Sequence, residues 1–434
     1  MSDLHTQPQD QSKLVIARFD DLFTEHGIAI TGDNDHLVLH IAEQHSHAQP
    51  PTSPPLALIS EAPVNFEAAE HVAIGDQTLL RFVEHADEPI LARNAPLRLP
   101  NGLALTYGQV LALGGDFYGI ADQPISDGAT PSDRLNRFAS AFSTLAVWPT
   151  SKAEAVQILA VMQREIDAVN QAIRDGRDPH EAYDALGDTL SAEWNKITGG
   201  GSFISDLLPL GRYLKLAANN SDHFGEWALN AYIAGHTAAL QHAARAHAAQ
   251  DKKQLEVAYA ANAFADHFLT DLFSAGHLRV PRKAMAEKVT PSDLGSLITR
   301  FMHDEDSKFG LNVRNGNNEQ WRTYGDKRYI YAIDSANRIH ANEAVQLSAD
   351  EVYAAYLTGN YPIPSSYAAL KKLPDLQAVL NLETNFSPLF RLEDGKLLRR
   401  KNVNNLNDTE TVDKWWGWST YAVLKKYQPT GNVA

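Results

Sequence analysis

The chain contains no cysteine in 434 residues, which excludes disulfides and thiolate metal ligands. Any bound metal must then be held by His, Asp, Glu or backbone groups, the donor set of catalytic and hard-ligand sites. No apolar run approaches the roughly 18 residues that would span a bilayer. The opening Met-Ser-Asp-Leu-His-Thr-Gln-Pro-Gln-Asp-Gln-Ser has no basic n-region and no apolar h-region, so it does not read as a Sec signal peptide. The expectation is a cytoplasmic protein or one exported by a signal-less route. Positive charge is scarce too: 38 Lys and Arg stand against 53 Asp and Glu, a net −15. That balance opposes nucleic-acid phosphates and anionic lipid in the absence of a local basic patch. The longest basic clusters, at 396–401 and 279–283, are short and read as solvated faces. Thr198-Gly-Gly-Gly-Ser202 lacks the Gly-Lys-Ser/Thr ending of a phosphate-binding loop. There is no internal repeat and no heptad pattern.

What is present is a soluble globular composition, 44% hydrophobic and 9% aromatic. One stretch stands out, Ala263-Phe-Ala-Asp-His-Phe-Leu-Thr-Asp-Leu-Phe-Ser-Ala-Gly-His277. Ala260, Ala263, Phe264, His267, Phe268 and Asp271 recur at helical spacing, so an imidazole and a carboxylate share the core-facing stripe one turn apart. A buried ionised Asp needs a cation or hydrogen-bond donors. His267 itself can supply that at i, i+4, in which case the two are a buried structural pair. Gly276 is expected to stop the helix and present His277, and two imidazoles with a carboxylate are what a zinc ion requires.

In chain order, residues 1–13 read as polar and disordered. Residues 1–100 form a mixed α/β extension with a strand-like His36-Leu-Val-Leu-His40 and a Pro-rich linker at 49–55. His36, His40, His45 and His47 read as the polar face of that region rather than as a metal cluster. Residues 101–312 form a helical core. A helix from Tyr107 to Leu113 ends at Gly114-Gly115 and delivers Asp116 from a glycine turn, either as a surface residue or beside a bound ion. Helices follow over 132–197. Another runs from about His223 to Ala249 with His236, His242 and His247 as ordinary helix residues, antiparallel to the helix bearing His267. Thr290-Pro-Ser-Asp293 opens a helix ending in His303-Asp-Glu-Asp306, three acids where the macrodipole favours cations. Residues 313–434 hold a hairpin near 320–333, helices near 339–357 and 364–381, and a last helix at 413–426, packed on the core. Trp415, Trp416 and Trp418 there read as buried locks for that helix, with a lipid-interface anchor as the rival.

The spacing His267-x3-Asp271-x5-His277 after an aromatic-rich helix resembles the signature of the zinc-dependent phospholipase C and S1/P1 nuclease superfamily. Asn219-Asn-Ser-Asp-His223-Phe resembles its His-Phe metal segment, with His223 44 residues before His267. Within that superfamily the chain is most similar to the bacterial phosphatidylcholine-hydrolysing phospholipases C. The likeness covers about residues 219–277, thins over 116–218 and is absent before residue 100.

The resemblance implies a mainly α fold holding two to three Zn2+ ions. It implies one ion at Asp116, His223 and His267 and another at His277, His303 and Asp306, with Asp271 bridging to a third. His303 matches the family's pattern, but the acid four residues on is Ser307 here, which leaves Asp306 one turn away. The third ion's N-terminal amine and its nearby His have no counterpart recognised in this chain. The implied reaction is zinc-dependent hydrolysis of phosphatidylcholine to diacylglycerol and phosphocholine, with Asp116 as catalytic base and peripheral contact with a membrane. The alternatives are an S1/P1-type zinc nuclease, which the acidic charge disfavours, and a non-catalytic helical binding protein.

Overall fold

A computed structural model describes residues 28–33, 36–41, 68–83, 88–177, 179–200, 211–219, 221–289, 292–325, 328–329 and 331–431. His45, His47 and the Pro-rich linker lie outside the described residues, as do Thr290 and Pro291 of the expected capping box. The fold is mainly α, with only small antiparallel sheets among the described residues.

The strands β1 (Ile28–Asp33) and β2 (His36–Ile41) form a hairpin. After it come the helix α1 (Ala68–Asp76), two-stranded ladders of β3 (Leu79–Leu80) with β4 (Ile90–Leu91) and of β5 (Leu97–Arg98) with β6 (Ala104–Leu105), and then α2 (Tyr107–Leu113). Thr106 and Gln109 close α2 with a reciprocal capping box, and Gly114 ends it. Helices α3 (Pro131–Ala146), α4 (Ser151–Arg174), α5 (Pro179–Ile197) and α6 (Arg212–Asn219) lead to the long α7 (Gly225–Ala249) and α8 (Lys253–Asp271).

The pair α7–α8 is the axis of the molecule. Its turn is tight, with Gln250 in the left-handed region at φ 53°. Hydrogen bonds His236–Asn262 and His242–Gln254 step in opposite directions along the two helices, which makes them antiparallel. Every residue of α8 from Val257 to Asp271 is buried, so this helix is surrounded on all sides rather than amphipathic. Its polar residues therefore need partners inside the protein.

Those partners come from all around it. After α8 the chain makes the short α9 (Ala275–Leu278), then α10 (Arg282–Lys288), α11 (Ser292–Phe309) and the hairpin of β7 (Leu311–Arg314) and β8 (Gln320–Thr323). Helix α12 (Ser335–Thr358) then crosses α7 and α8, where Ser348 and Glu351 bond to Asp266 and His236. The C-terminal part holds a sheet in the order β11 (Thr411–Val412), β10 (Lys396–Arg400), β9 (Phe390–Glu393), and the helix α13 (Gly417–Leu424).

Three expectations need correction. The division at residue 100 is not where packing divides, because Ile74, Leu80, Leu97 and Leu99 belong to one apolar core with α2, α7, α8 and α12. Gly75 and Gly108 explain how closely α1 packs: a Cβ on Gly75 would lie 2.4 Å from the Gly108 Cα. A second, smaller core joins α10, α11 and α13 to β9 and β10. The stretch 364–381 contains only short 3-10 turns. The three tryptophans divide: Trp418 is buried in the second core, Trp415 donates to the Leu397 carbonyl, and Trp416 is exposed.

Candidate metal centre

The C-terminal end of α8 carries the centre. His267 and Asp271 lie one turn apart on that buried helix, with nothing of either exposed. His267 Nδ1 donates to the Leu111 carbonyl of α2 at 3.0 Å. That bond fixes the tautomer and leaves the Nε2 lone pair facing inward. His267 Nε2 then lies 3.1 Å from His223 Nδ1, 3.8 Å from Asp271 Oδ2 and 4.0 Å from Asp116 Oδ2.

Asp116 arrives as the glycine pair requires. Gly115 has φ +70°, and a Cβ there would stand 2.4 Å from His267 Cδ2 and 2.9 Å from His223 Cε1. Only glycine meets both the backbone and the space requirement. His223 precedes α7 and is bonded through Nδ1 to Asp271 Oδ2 at 2.8 Å, with Nε2 3.8 Å from Asp116 Oδ1. Its neighbour Asp222 anchors this end by accepting from the backbone N–H groups of Ile125 and Ser126 at 2.5 and 2.9 Å. His277 sits in α9, a separate short helix whose N-cap is Ser274, so Gly276 lies inside a turn of helix rather than ending α8. His277 Nδ1 is 3.4 Å from Asp271 Oδ1.

The structure adds a residue that sequence reasoning passed over. His71, on α1, is 2% exposed, and its ring lies 4.6 Å from that of His267. The Thr270 hydroxyl already donates to the backbone carbonyls of Asp266 and His267. It also lies 2.9 Å from His71 Nδ1 and so orients the ring, with His71 Nε2 3.9 Å from Asp271 Oδ1. The only available signal was a histidine on a short apolar helix, which carries no spacing motif.

Two donor sets thus converge, His71–Asp116–His267 and His223–His267–Asp271, each with its ligand atoms within 4.8 Å of one another. Zinc held tetrahedrally at 2.0–2.2 Å would place its donors about 3.3–3.6 Å apart, and the His223–His267–Asp271 separations of 2.8, 3.1 and 3.8 Å bracket that spacing. Asp271 Oδ1 is fully buried and makes no hydrogen bond, although two imidazole nitrogens stand 3.4 and 3.9 Å away. A buried carboxylate oxygen in that position suits a cation. The donor set of imidazoles and carboxylates without thiolate fits zinc.

The electrostatics follow the geometry. Burial pushes the His267 imidazole well below its ordinary value, with His71 and His223 adding to the effect against the pull of Asp271. A neutral imidazole is the form that ligates. Burial would also depress His223, but the Asp271 and Asp116 carboxylates override it and raise His223 to about 9. Asp271 is held far below the usual carboxylate range despite its burial, chiefly by the charge and hydrogen bond of His223.

Two expected ligands fall elsewhere. His303 stands at the rim, its ring 5.1 Å from His277 and its Nδ1 bonded to Asp304 at 2.9 Å. Asp306 is turned away from the centre: both of its oxygens are taken by Arg279, at 2.7 and 3.0 Å, with both side chains fully buried. Its neighbour Glu305 is taken in the same way by Arg400. The acidic end of α11 does have its cations, and they are guanidinium groups. Removing one partner of such a buried pair costs about 3–5 kcal/mol, so Asp306 is not available as a ligand. His236 likewise serves the interior, bonded to Asn262 and Glu351.

No family model matches this chain, and neither a curated protein nor a solved structure matches it. What the fold and the centre define is a mainly helical protein with buried His/Asp clusters able to hold a metal ion. Among the described residues no helix is long and apolar enough to cross a membrane.

Proposed function

We propose that the chain is a zinc-dependent phosphodiester hydrolase, a phospholipase C that converts phosphatidylcholine to diacylglycerol and phosphocholine. The observation that carries the metal part of this reading is Asp271. It is a fully buried carboxylate flanked by His223, His267, His277 and His71, with one oxygen accepting no hydrogen bond. The choice of phospholipid rests on the likeness of residues 219–277 to the bacterial phospholipases C.

His223, His267, Asp271, Asp116 and His71 would hold the metal, with His277 beside them and His303 at the outer edge. When bound, zinc supplies positive charge for the phosphoryl oxygens and lowers the pKa of a water. The chain's own part is orientation and proton handling. Leu111 fixes the tautomer of His267, and Thr270 orients the His71 ring. Asp116, 13% exposed at its side chain, is the carboxylate of the cluster that reaches solvent. It sits on the Gly114–Gly115 turn, in position to accept a proton from a water entering the centre.

The test is metal analysis combined with product analysis on the full chain. Two to three zinc ions per chain and release of phosphocholine from short-chain phosphatidylcholine are expected, with chelation abolishing the release and zinc restoring it. Less than one zinc per chain after metal-replete purification overturns the reading. Rapid cleavage of single-stranded DNA or RNA without phosphocholine release moves the chain to the nuclease branch.

A further inference from the structure

We propose that the adjacent carboxylates Glu305 and Asp306, gripped by Arg400 and Arg279, position His303 and His277, so that the C-terminal region buttresses the outer half of the metal centre. This rests on the metal reading above.

His303, Glu305 and Asp306 lie within one turn of α11, and Arg279 follows His277 by two residues. The Arg279 fork spans both oxygens of Asp306, at 3.0 Å from Nε and 2.7 Å from Nη2. Its third donor reaches the Phe386 carbonyl at 2.9 Å, and the guanidinium lies 4.6 Å from the centroid of the Phe386 ring. The Arg400 fork spans Glu305 at 3.1 and 2.6 Å and reaches the Ser387 carbonyl at 2.6 Å. Phe386 and Ser387, consecutive in sequence, are therefore pinned by the two guanidiniums that hold consecutive acids of α11. All four charged side chains are fully buried.

Apolar residues of similar volume often join packed elements at equal or greater stability than a buried ion pair does. What the two forks add is direction, because a bidentate guanidinium fixes the plane and register of the carboxylate that it meets. That direction matters at His303. Its bonded partner Asp304 belongs to the same helix and moves with it. His303 is carried by α11 and His277 by α9, so the 5.1 Å separation of their rings depends on where those two helices sit. Close approach is built in: a Cβ on Gly276 would lie 2.6 Å from His303 Cδ2 and 2.4 Å from Ser307 Oγ. Arg279 joins the two helices at this point, and Arg400 ties α11 to β10. Residues that orient the surroundings of a metal centre can change metal affinity 10–100-fold when altered.

The experiment compares the full chain with Arg279→Lys, which keeps the charge but loses the fork, and with Glu305→Gln, which keeps the shape. Zinc per chain, zinc affinity by chelator competition, helical content and the cobalt absorption spectrum are measured well below the unfolding temperature. The expected result is wild-type helical content with the most weakly held ion bound 10–100-fold more weakly. The cobalt bands of the ion at His223, His267 and Asp271 stay unchanged. Folded variants with wild-type zinc content and affinity overturn the proposal. Failure of both variants to fold overturns it as well, since the pairs would then hold the fold rather than the centre. A wild-type chain that binds no zinc fails the metal reading itself and removes this proposal with it.

Discussion

His71 Nε2 lies 3.9 Å from Asp271 Oδ1, which joins the first helix of the core to the end of its central helix at the metal centre. The contact depends on the glycine crossing of α1 and α2 and on the Thr270 hydroxyl that orients the ring. His71→Leu keeps the bulk and removes the donor. We expect the variant to retain its helical content and to bind its last zinc at least tenfold more weakly, as read by chelator competition. Unaltered zinc affinity in a folded His71→Leu protein would show that His71 only packs against His267.

Gly115→Ala tests the turn that delivers Asp116. The added methyl meets His267 and His223 at 2.4–2.9 Å, and the φ of +70° is strained for any other L-residue. Backbone strain of that kind costs on the order of 1–3 kcal/mol, and the clash displaces one or both imidazoles. The expectation is a lower unfolding midpoint together with loss of zinc. Gly102, also at positive φ but with only the Lys152 ammonium within 4 Å of an added Cβ, provides the control: Ala there should lower stability without changing zinc content.

Asp334 makes stability depend on pH. Burial raises its carboxyl to about 7, against bonds from the Tyr324 N–H and from Asn337. The folded state therefore holds a proton that the unfolded chain releases near pH 4, so this group's contribution falls as pH rises from about 4 to about 7. Asp334→Asn removes that dependence. Relative to wild type, the variant should gain stability steadily across this window in denaturant titrations at fixed ionic strength. A stability difference that stays constant from pH 4 to pH 7 would show that Asp334 titrates normally.

Much of this protein was legible in advance because the signals were local. Helix α2 and its glycine stop, the α7–α8 pair and the His267–Asp271 face follow from periodicity, capping and turn chemistry acting over a few residues. Gly115 could be read as a close-approach glycine for the same reason. His303 and Asp306 show the limit. Three acids at a helix end demand a cation, and the sequence states that demand without saying which cation meets it. Arg279 and Arg400 were visible only as members of short basic clusters.

The sequence by itself determined the helical class, the donor chemistry without thiolate, and the motif that puts His267 and Asp271 on successive turns of one helix with His277 shortly after it. Those properties depend on neighbours within about one or two helical turns. The tertiary structure alone decided that His71 joins the centre, that Asp306 leaves it and that residues 68–105 belong to the core. Each of these outcomes is a pairing between distant segments, set by which side chains fit against the fully buried α8. Burial made the choice consequential, because a carboxylate shut away from water must meet either a guanidinium or a metal site.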